Sequence, residues 1–394
     1  MLMAKHASTG GSDAARGSGS VRNPAHDPLA HYMYVLSCGD GSLYTGYAPD
    51  VQTRLAAHRA GRGARYTKSH EPVELVAQAR FYSKERAMSA EAHFKRLSRA
   101  EKDRLLEQVD GDEDGKVFAD VLRRELPGFG DDTAREFVCR ELAAHVDPAY
   151  RDFMAGLLPT VDPRRIVGVR TPDLRRIARE VGRRDDFDAY LRALPHRLFE
   201  ENQVHAFLLG RERDYDRALE RYQAFLPFID NWATCDQTPV KILAARPDET
   251  YTHVEAWLTS NRCYIARFGI GVLMHLYLGE LFDPAQLALV ADTHLAAGAH
   301  LAAGAHLAAE DGGDTPTKDD VYYLNMMRAW YFAEALAQQR DAALPYFECS
   351  ESEALTAGQS EVHLDEWTRR KAIQKAIESH RIPAELKAYL RTCR

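Results

Sequence analysis

The sequence lacks three features that each define a class of protein: a long apolar run, a pattern of paired cysteines and an excess of basic residues. The longest strongly apolar stretch, residues 270–278, is interrupted by His275 and falls far short of the roughly 18 residues that a membrane-spanning helix needs. The six cysteines show neither a CxxC pair nor a short Cys/His spacing, so neither a disulfide framework nor a zinc site is indicated. We therefore expect reduced thiols and a cytoplasmic protein with no membrane association.

The overall charge does not favour a nucleic-acid-binding protein. The formal net charge is −7, whereas contacts to phosphate normally require a basic face. The charge is unevenly distributed, however, because residues 31–108 contain 13 Lys and Arg against 9 Asp and Glu. Any nucleic-acid face in the rest of the chain must therefore be local.

The length of 394 residues exceeds that of one ordinary core and predicts two domains. Residues 1–30 are rich in Gly, Ser and Ala and are expected to form a disordered leader. An acidic, glycine-containing run opens the segment 109–130, which we interpret as a linker, although residues 117–130 fit either a linker or a helix. The predicted domains are residues 31–108 and 131–394.

The first domain is predicted to be a small α+β unit. Two runs of β-branched and aromatic residues, 32–37 and 42–47, flank a Gly-Asp-Gly turn and indicate a hairpin. Asp50 is a plausible cap for a helix over 51–60, and a third strand at 75–81 precedes a helix from Lys84 to about Gln108.

The second domain is predicted to be an all-α solenoid. Strand patterns are missing from its sequence, and helices of 10–20 residues alternate with short loops. One literal repeat, His294-Leu-Ala-Ala-Gly-Ala, is copied at His300 and begun again at His306. A spacing of six places these histidines on different helix faces, so we interpret the repeat as a loop insertion rather than a metal site.

Four polar residues of the first domain occur in an order that suggests one active site. Tyr34 and Tyr44 lie on adjacent strands of the hairpin, Arg54 lies on the following helix, and Glu91 lies on the last one. This set, together with Tyr44-Thr-Gly46, resembles the GIY-YIG nuclease superfamily, specifically its small stand-alone branch, over residues 32–106. The sequence departs from the wider pattern where Tyr32-Met33-Tyr34 replaces the first glycine-containing motif.

The resemblance implies metal-dependent cleavage of a phosphodiester bond. Glu91 would hold one divalent metal, Mg²⁺ or Mn²⁺, Arg54 would stabilise charge on the phosphate, and Tyr34 or Tyr44 would orient or deprotonate water. A phenol ordinarily titrates near 10, so a tyrosine base needs a cation beside it. Taken singly, both tyrosines also fit hairpin aromatics in a core.

In the second domain, Trp232 and Asp236 are four residues apart, which stacks them on one face of a helix. Arg267 and Trp330 lie in later helices that parallel stacking could bring to the same surface. Together with Gly168-Val-Arg-Thr-Pro172, these segments resemble the DNA alkylation repair glycosylases built from HEAT-like repeats, from about Asp147 to the C-terminus. Taken singly, Trp232 fits a core anchor, and Arg267 fits the partner of a carboxylate such as Glu280.

That resemblance implies excision of N3- or N7-alkylated purines from double-stranded DNA by a domain without a cofactor. Alkylation makes the base a cationic leaving group, so the enzyme mainly has to stabilise an oxocarbenium-like sugar. By resemblance, Asp236 would supply the negative charge and position water, and the indoles of Trp232 and Trp330 would contact the cationic nucleotide. Arg267 would bind a phosphate.

Our first hypothesis is a monomeric two-step repair enzyme in which one domain removes a damaged purine and the other cuts the DNA nearby. This hypothesis requires no protein partner. The alternatives are a non-catalytic binder of damaged or distorted DNA with a vestigial nuclease domain, and a protein-binding helical scaffold.

Overall fold

A computed structural model of the chain describes residues 30–295 except for residues 72, 110 and 127, together with residues 316–348 and 364–393. These residues form two compact units, Met1–Asp131 and Asp132–Arg394. All but the last residue of the predicted leader, and the repeat copies at His300 and His306, lie outside the described residues.

The first unit contains an antiparallel sheet with the strand order β2-β1-β3. The strands are β1 His31–Cys38, β2 Leu43–Ala48 and β3 Val73–Phe81. A tight turn joins β1 to β2, in which Gly41 has a φ of 77° and the Asp40 carboxylate accepts hydrogen bonds from the backbone and hydroxyl of Ser42. The predicted hairpin is thereby confirmed.

In the described part of this unit, five helices accompany the sheet: α1 Val51–Arg59, α2 Arg65–Lys68, α3 Lys84–Arg96, α4 Arg99–Leu106 and α5 Lys116–Glu125. Asp50 caps α1 as expected, because its carboxylate accepts a hydrogen bond from the Thr53 backbone N–H. The helix predicted from Lys84 to Gln108 is instead two helices. Ser98 forms a capping box with Glu101 and starts α4 as a separate helix.

Helix α5 corrects the predicted linker. Its residues Phe118 and Leu122 are completely buried, and the ring of Phe118 lies 5.9 Å from that of Phe94 on α3. The Arg80 backbone N–H also donates to the Gly115 carbonyl just before the helix. Of the two interpretations that the sequence leaves open for residues 117–130, the helix is thus the one found over residues 116–125, and its apolar face belongs to the core of the first unit.

The second unit is helical throughout its described residues. Its helices are α6 Ala134–Ala144, α7 Pro148–Leu157, α8 Thr171–Val181, α9 Phe187–Arg192, α10 Phe199–Leu209, α11 Tyr215–Phe225, α12 Trp232–Gln237, α13 Pro247–Leu258, α14 Cys263–Val272, α15 Ala285–Asp292, α16 Lys318–Gln338, α17 Arg340–Ala343, α18 Glu366–Glu378 and α19 Ala384–Thr392. Over the same residues, four 3-10 turns and a π turn, Leu273–Tyr277, extend or connect them.

The even-numbered helices from α6 to α18 follow a simple packing rule. Helix α6 packs on α8, α8 on α10, α10 on α12, α12 on α14, α14 on α16 and α16 on α18. We call these seven helices the central row. Such a series of stacked helices, each in contact with the next but one along the chain, is the packing expected of an α-solenoid and confirms the predicted fold class.

None of the helices within the described residues combines the length and the apolar character that crossing a bilayer requires.

Candidate active sites

The hairpin of the first unit places Tyr34 and Tyr44 side by side. Tyr34 pairs with Gly46 across the two strands, and Tyr44 lies two residues before Gly46 on the same face of the sheet. The ring centroids of the two tyrosines are 6.4 Å apart. Tyr34 is almost completely buried, whereas Tyr44 is half-buried. The two tyrosines that the sequence predicts for one site are therefore brought together.

Gly46 is required by the close approach of the Tyr34 phenol. A Cβ atom at position 46 would lie 2.4 Å from the Tyr34 hydroxyl oxygen, far inside van der Waals contact. The phenol therefore crosses directly over the backbone of β2. Position 46 of the Tyr44-Thr-Gly46 motif must therefore be glycine, because any side chain there would occupy the space of the Tyr34 phenol.

A histidine that is not among the predicted site residues completes this arrangement. The Tyr34 hydroxyl lies 3.0 Å from Nε2 of His58, and His58 Nδ1 lies 2.7 Å from the Thr67 hydroxyl. Since Thr67 donates its hydrogen to the Ala64 carbonyl, it accepts the hydrogen bond from Nδ1 of His58. Nε2 is then the acceptor, and Tyr34 donates to it.

The surroundings of His58 keep its imidazole neutral. Burial lowers the pKa of His58 below its ordinary value, and the positive charge of Arg54 lowers it further. A Cβ atom at Gly63 would lie 2.2 Å from His58 Nδ1, so the chain packs tightly against the ring. His58 lies one helical turn after Arg54 on α1, and that spacing is the signal by which the sequence could identify it.

Arg54 is close to both tyrosines. Its Nε donates to the Tyr34 hydroxyl at 3.4 Å. Burial raises the pKa of Tyr34, and the hydrogen bond from Arg54 opposes that rise by favouring the phenolate. The pKa of Arg54 is raised, first by its hydrogen bond to Tyr34 and also by the charges of both phenols, so its guanidinium stays charged. The predicted grouping of Arg54 with the tyrosines is thus present.

Glu91 on α3 is near enough for its charge to raise the pKa of Tyr34. One of its oxygens lies 2.5 Å from the Lys95 ammonium nitrogen, and its side chain is 18% exposed. The described residues contain no group of three or more His, Cys, Asp or Glu that could enclose a metal ion. A single carboxylate is nevertheless what Mg²⁺ commonly takes from a protein when substrate phosphates supply other ligands, so Glu91 fits the predicted role.

In the second unit, the predicted lesion-site residues lie on successive helices of the central row. Trp232 and Asp236 lie on α12, Arg267 on α14 and Trp330 on α16. Because α12 packs on α14 and α14 on α16, the row brings residues that are far apart in the chain into neighbouring places.

Asp236 and Arg267 form a bidentate ion pair. Nε and Nη2 of Arg267 each donate to one carboxylate oxygen of Asp236 at 2.7 Å, and Nη1 donates to the Tyr323 carbonyl. Arg267 is 1% exposed. The prediction that Arg267 binds a phosphate is therefore wrong, because its guanidinium is buried and used within the protein. It holds Asp236 in place, and the carboxylate partner considered from the sequence, Glu280, is not the one found.

Asp236, Arg267 and Trp330 line one small recess together with Met274 and His275. Its volume is about 20 Å³, which is enough for one water molecule. The Asp236 side chain is 12% exposed and lies at the edge of the protein interior. Three of the four predicted residues thus meet at a site with room for a water beside a carboxylate.

Trp232 does not line this recess. Its indole Nε1 donates to the Leu157 carbonyl at 3.2 Å, and its ring packs in a cluster with Met154, Leu158 and Phe199. The residue is half-buried. The placement matches the alternative interpretation of Trp232 as an anchor between α7 and α12.

Lys375 on α18 is a cation near the recess that the sequence does not reveal. Its ammonium nitrogen lies 5.9 Å from the centroid of the Trp330 ring. Burial lowers the pKa of Lys375, and the charge of Arg267 adds to the effect, while Glu378 and Asp236 oppose it. Lys375 therefore lies within range of a cation–π contact with the Trp330 ring.

Comparison with known proteins supports both domain assignments. The family described as GIY-YIG catalytic domain matches residues 30–104, and the family described as DNA alkylation repair enzyme matches residues 138–299. The chain is thus a fusion of a GIY-YIG domain with a DNA alkylation repair enzyme domain, as the sequence indicates.

Individual relatives match the first unit. A UPF0213 protein of Natronomonas pharaonis is 54% identical over 81 residues, which are 21% of this chain and 95% of that protein. A UPF0213 protein of Streptococcus sanguinis is 61% identical over 71 residues, which are 18% of this chain and 82% of that protein. Through its N-terminal unit, the chain belongs to the UPF0213 family. The solution NMR structure of a Bacillus halodurans UPF0213 protein matches with 45% identity, a TM-score of 0.16, and coverage of 22% of this chain and 93% of that one.

Proposed function

We propose that the protein is a two-step DNA repair enzyme. In this proposal the second unit releases N3- or N7-alkylated purines from double-stranded DNA, and the first unit cleaves a phosphodiester bond of the same DNA. The observation that carries the proposal is the Asp236 carboxylate, fixed by Arg267 beside a recess of one water and next to the indole of Trp330.

The excision chemistry follows from the charge of this site. When the bond between sugar and base breaks, the cationic base leaves as a neutral molecule and positive charge develops on the sugar. Asp236 stabilises that charge, and a water beside it adds to the anomeric carbon as its proton passes to the carboxylate. Arg267 acts as a positioning residue for Asp236, and Trp330 contacts the alkylated nucleotide through its ring. A recess of about 20 Å³ cannot hold a purine, so the base is not drawn into a pocket.

The cleavage chemistry follows from the contacts of Tyr34. Because Tyr34 donates its own proton to Nε2 of His58, its oxygen can accept a hydrogen bond from the attacking water and orient it, and Thr67 keeps the imidazole in the required tautomer. Arg54 donates to the same oxygen and stabilises the negative charge that develops on the phosphate. Glu91 would hold a divalent metal, which when bound supplies positive charge at the phosphate oxygens.

The excision half is tested by incubating methylated duplex DNA with the protein and measuring the free 3- and 7-methylpurines. We expect release by the wild type and a loss of at least about 100-fold in Asp236→Asn, as for removal of one preorganised electrostatic group. The matched control is Asp292→Asn, a change of the same type on α15, away from the recess. Lack of any release by the folded wild type at every salt concentration rules out this half.

The cleavage half is tested on a duplex with one preformed abasic site in Mg²⁺ or Mn²⁺. Glu91→Gln and Gly46→Ala should both lose strand cleavage, the second because its methyl group displaces the Tyr34 phenol. Gly156→Ala is the control, since a Cβ atom at that helical position meets nothing within 4 Å. Equal cleavage by all of these variants would contradict the proposed roles.

The packing of Trp232 favours a second candidate, a non-catalytic binder of damaged DNA. Trp232 is anchored to Leu157, so Trp330 is the one of the two predicted indoles that lines the recess. The recess therefore lacks one of the two aromatic contacts that the resemblance assigns to excision. This candidate predicts salt-dependent DNA binding that survives Asp236→Asn and Glu91→Gln, with neither base release nor strand cleavage.

A further inference from the structure

An open groove in the second unit has an unusual concentration of arginine. It has a volume of about 540 Å³, and its lining includes Arg175, Arg179, Arg211, Phe207, Gly210 and Pro239. Arg175 and Arg179 lie one turn apart on the same face of α8, and Arg211 follows α10, the next helix of the central row. Among the described residues, no acidic side chain lines the groove.

The three arginines have no anionic partner in the part of the chain that the structure describes. Arg175 lies over the ring of Phe207 at 4.4 Å, and within that part none of the three guanidinium groups takes part in an ion pair or a side-chain hydrogen bond. Two carboxylates nearby in sequence are already used: Glu180 binds Arg176, and Glu212 binds Arg217 and Arg221. Three like charges in one groove repel one another, so an anion bound there relieves an unfavourable interaction.

Arg176 shows how an arginine on the same helix behaves when it has a structural role. Its guanidinium lies 2.9 Å from Glu180 and 3.3 Å from Glu141, and it donates to His145 at 3.0 Å. It therefore ties α8 to α6. Arg175 and Arg176 are neighbours in the sequence, but Arg176 makes structural contacts whereas Arg175 lines the open groove.

The absence of a side chain at Gly182 determines where the Arg211 side chain lies. A Cβ atom at Gly182, where α8 ends, would lie 2.5 Å from Nε of Arg211. The arginine side chain thus passes directly over the glycine at the end of α8. This close approach directs Arg211 to the helix that carries Arg175 and Arg179.

The groove adjoins the recess of Asp236. Pro239 lines the groove, whereas its neighbours Thr238 and Val240 line the recess together with Asp236, so one short segment borders both. Guanidinium groups suit phosphate oxygens because their N–H groups donate in pairs. Three of them along a groove match several phosphates in series rather than one small anion.

From these observations we propose that Arg175, Arg179 and Arg211 bind consecutive backbone phosphates of a DNA strand beside the site of base release. The proposal deepens the proposed function and rests on it for the identity of the strand. It also gives the phosphate contact that the buried Arg267 cannot make.

The test is the salt dependence of binding to a fluorescent, unmodified 20-base-pair DNA duplex by the full chain. Binding weakens with salt in proportion to the number of phosphates contacted, with a slope of about 0.9 per phosphate in a plot of log affinity against log salt. We expect the slope of the triple variant Arg175→Gln, Arg179→Gln, Arg211→Gln to be lower than that of the wild type by between about one and about three units. Arg176→Gln removes the same type of charge from α8 and should leave the slope unchanged.

Gly182→Ala provides a second variant, because it displaces Arg211 without changing the net charge of the protein. We expect weaker binding with a slope lowered by about one unit. An unchanged slope in both the triple variant and Gly182→Ala would overturn the phosphate assignment, even if base release is observed. Conversely, a lowered slope in a protein that releases no methylpurine would support the groove and refute the excision half of the proposed function.

Discussion

At the residue scale, the Asp236 and Arg267 pair joins stability to the proposed chemistry. A guanidinium that is 1% exposed is tolerated only because a carboxylate and a backbone carbonyl satisfy it. The same contacts orient the Asp236 oxygens, so a change at either residue alters both the fold and the site. Activity measurements on these variants therefore need a parallel measurement of folding.

Arg267→Met should strongly destabilise the second unit. It leaves the mostly buried Asp236 carboxylate without its cation, and breaking a buried pair typically costs about 3–5 kcal/mol. Urea denaturation followed by tryptophan fluorescence measures this, since all four tryptophans belong to the second unit. Arg370→Met is the control, because it breaks an exposed pair with Glu366 and should cost less than about 1 kcal/mol. Equal effects of the two substitutions would contradict the assignment.

A buried histidine pair makes the second unit sensitive to acid. Nε2 of His196 lies 2.9 Å from Nδ1 of His205, and burial lowers the pKa of His196 from 6.5 to about 4. Burial also lowers the pKa of His205 well below its ordinary value, with the charge of Arg221 contributing. Both rings are therefore neutral in the folded protein, whereas the unfolded chain binds protons below about pH 6.5.

The free energy of unfolding should consequently fall as the pH drops from about 6.5 to about 4. The shift of His196 alone corresponds to roughly 3 kcal/mol at pH 4. Denaturation by urea at several pH values, with tryptophan fluorescence as the signal, measures the loss. The double variant His196→Gln, His205→Gln should show a flatter profile over this range. A wild-type stability that is constant from pH 7 to pH 4 would refute the role of the pair.

The order of residues along the chain predicts part of each site. It resembles known families at eight residues. Of these, Tyr34, Tyr44 and Arg54 lie together in the first unit, and Asp236, Arg267 and Trp330 line one recess in the second. The role of Arg267 is not predicted correctly, since a sequence does not show which carboxylate a guanidinium will meet. Lys375 escapes prediction because its nearness to Trp330 depends on the packing of α18 against α16, a helix that lies much earlier in the chain.

At the element scale, helix α5 is the clearest difference between expectation and structure. The acidic residues before it resemble a linker, yet Phe118 and Leu122 fill the core of the first unit. Local charge is a poor guide because the burial of one helix face is decided by the partner that it meets. The sequence likewise does not predict the break at Ser98, because it depends on a capping box within a continuous helical pattern.

The assignment of α5 to the first unit predicts a selective effect of Phe118→Ala. Loss of this completely buried ring should destabilise the first unit by about 3–5 kcal/mol. Val117→Ala, at a neighbouring position that is 49% exposed, should have little effect. Thermal unfolding followed by circular dichroism should show an earlier transition in Phe118→Ala, while the tryptophan signal of the second unit stays unchanged. A shift of the tryptophan signal alone would contradict the assignment.

At the scale of the whole molecule, the two-domain organisation and both fold types can be predicted from the sequence. The change from β-branched and aromatic runs to helices with short loops is a strong pattern that tertiary context does not override. The central row cannot be derived in this way, because the order in which helices pack depends on contacts between residues far apart in the chain. This row places Asp236, Arg267, Trp330 and the arginine groove on neighbouring helices.

In the proposed function, base release precedes and directs strand cleavage. This order is tested most directly by following both products in one reaction, with the full chain, Mg²⁺ and a duplex that carries a single 7-methylguanine. We predict that free base appears before the strand break, that Glu91→Gln releases base without a break, and that Asp236→Asn yields neither product yet still cuts a duplex with a preformed abasic site. Strand cleavage of the methylated duplex by Asp236→Asn at the wild-type rate would contradict the account.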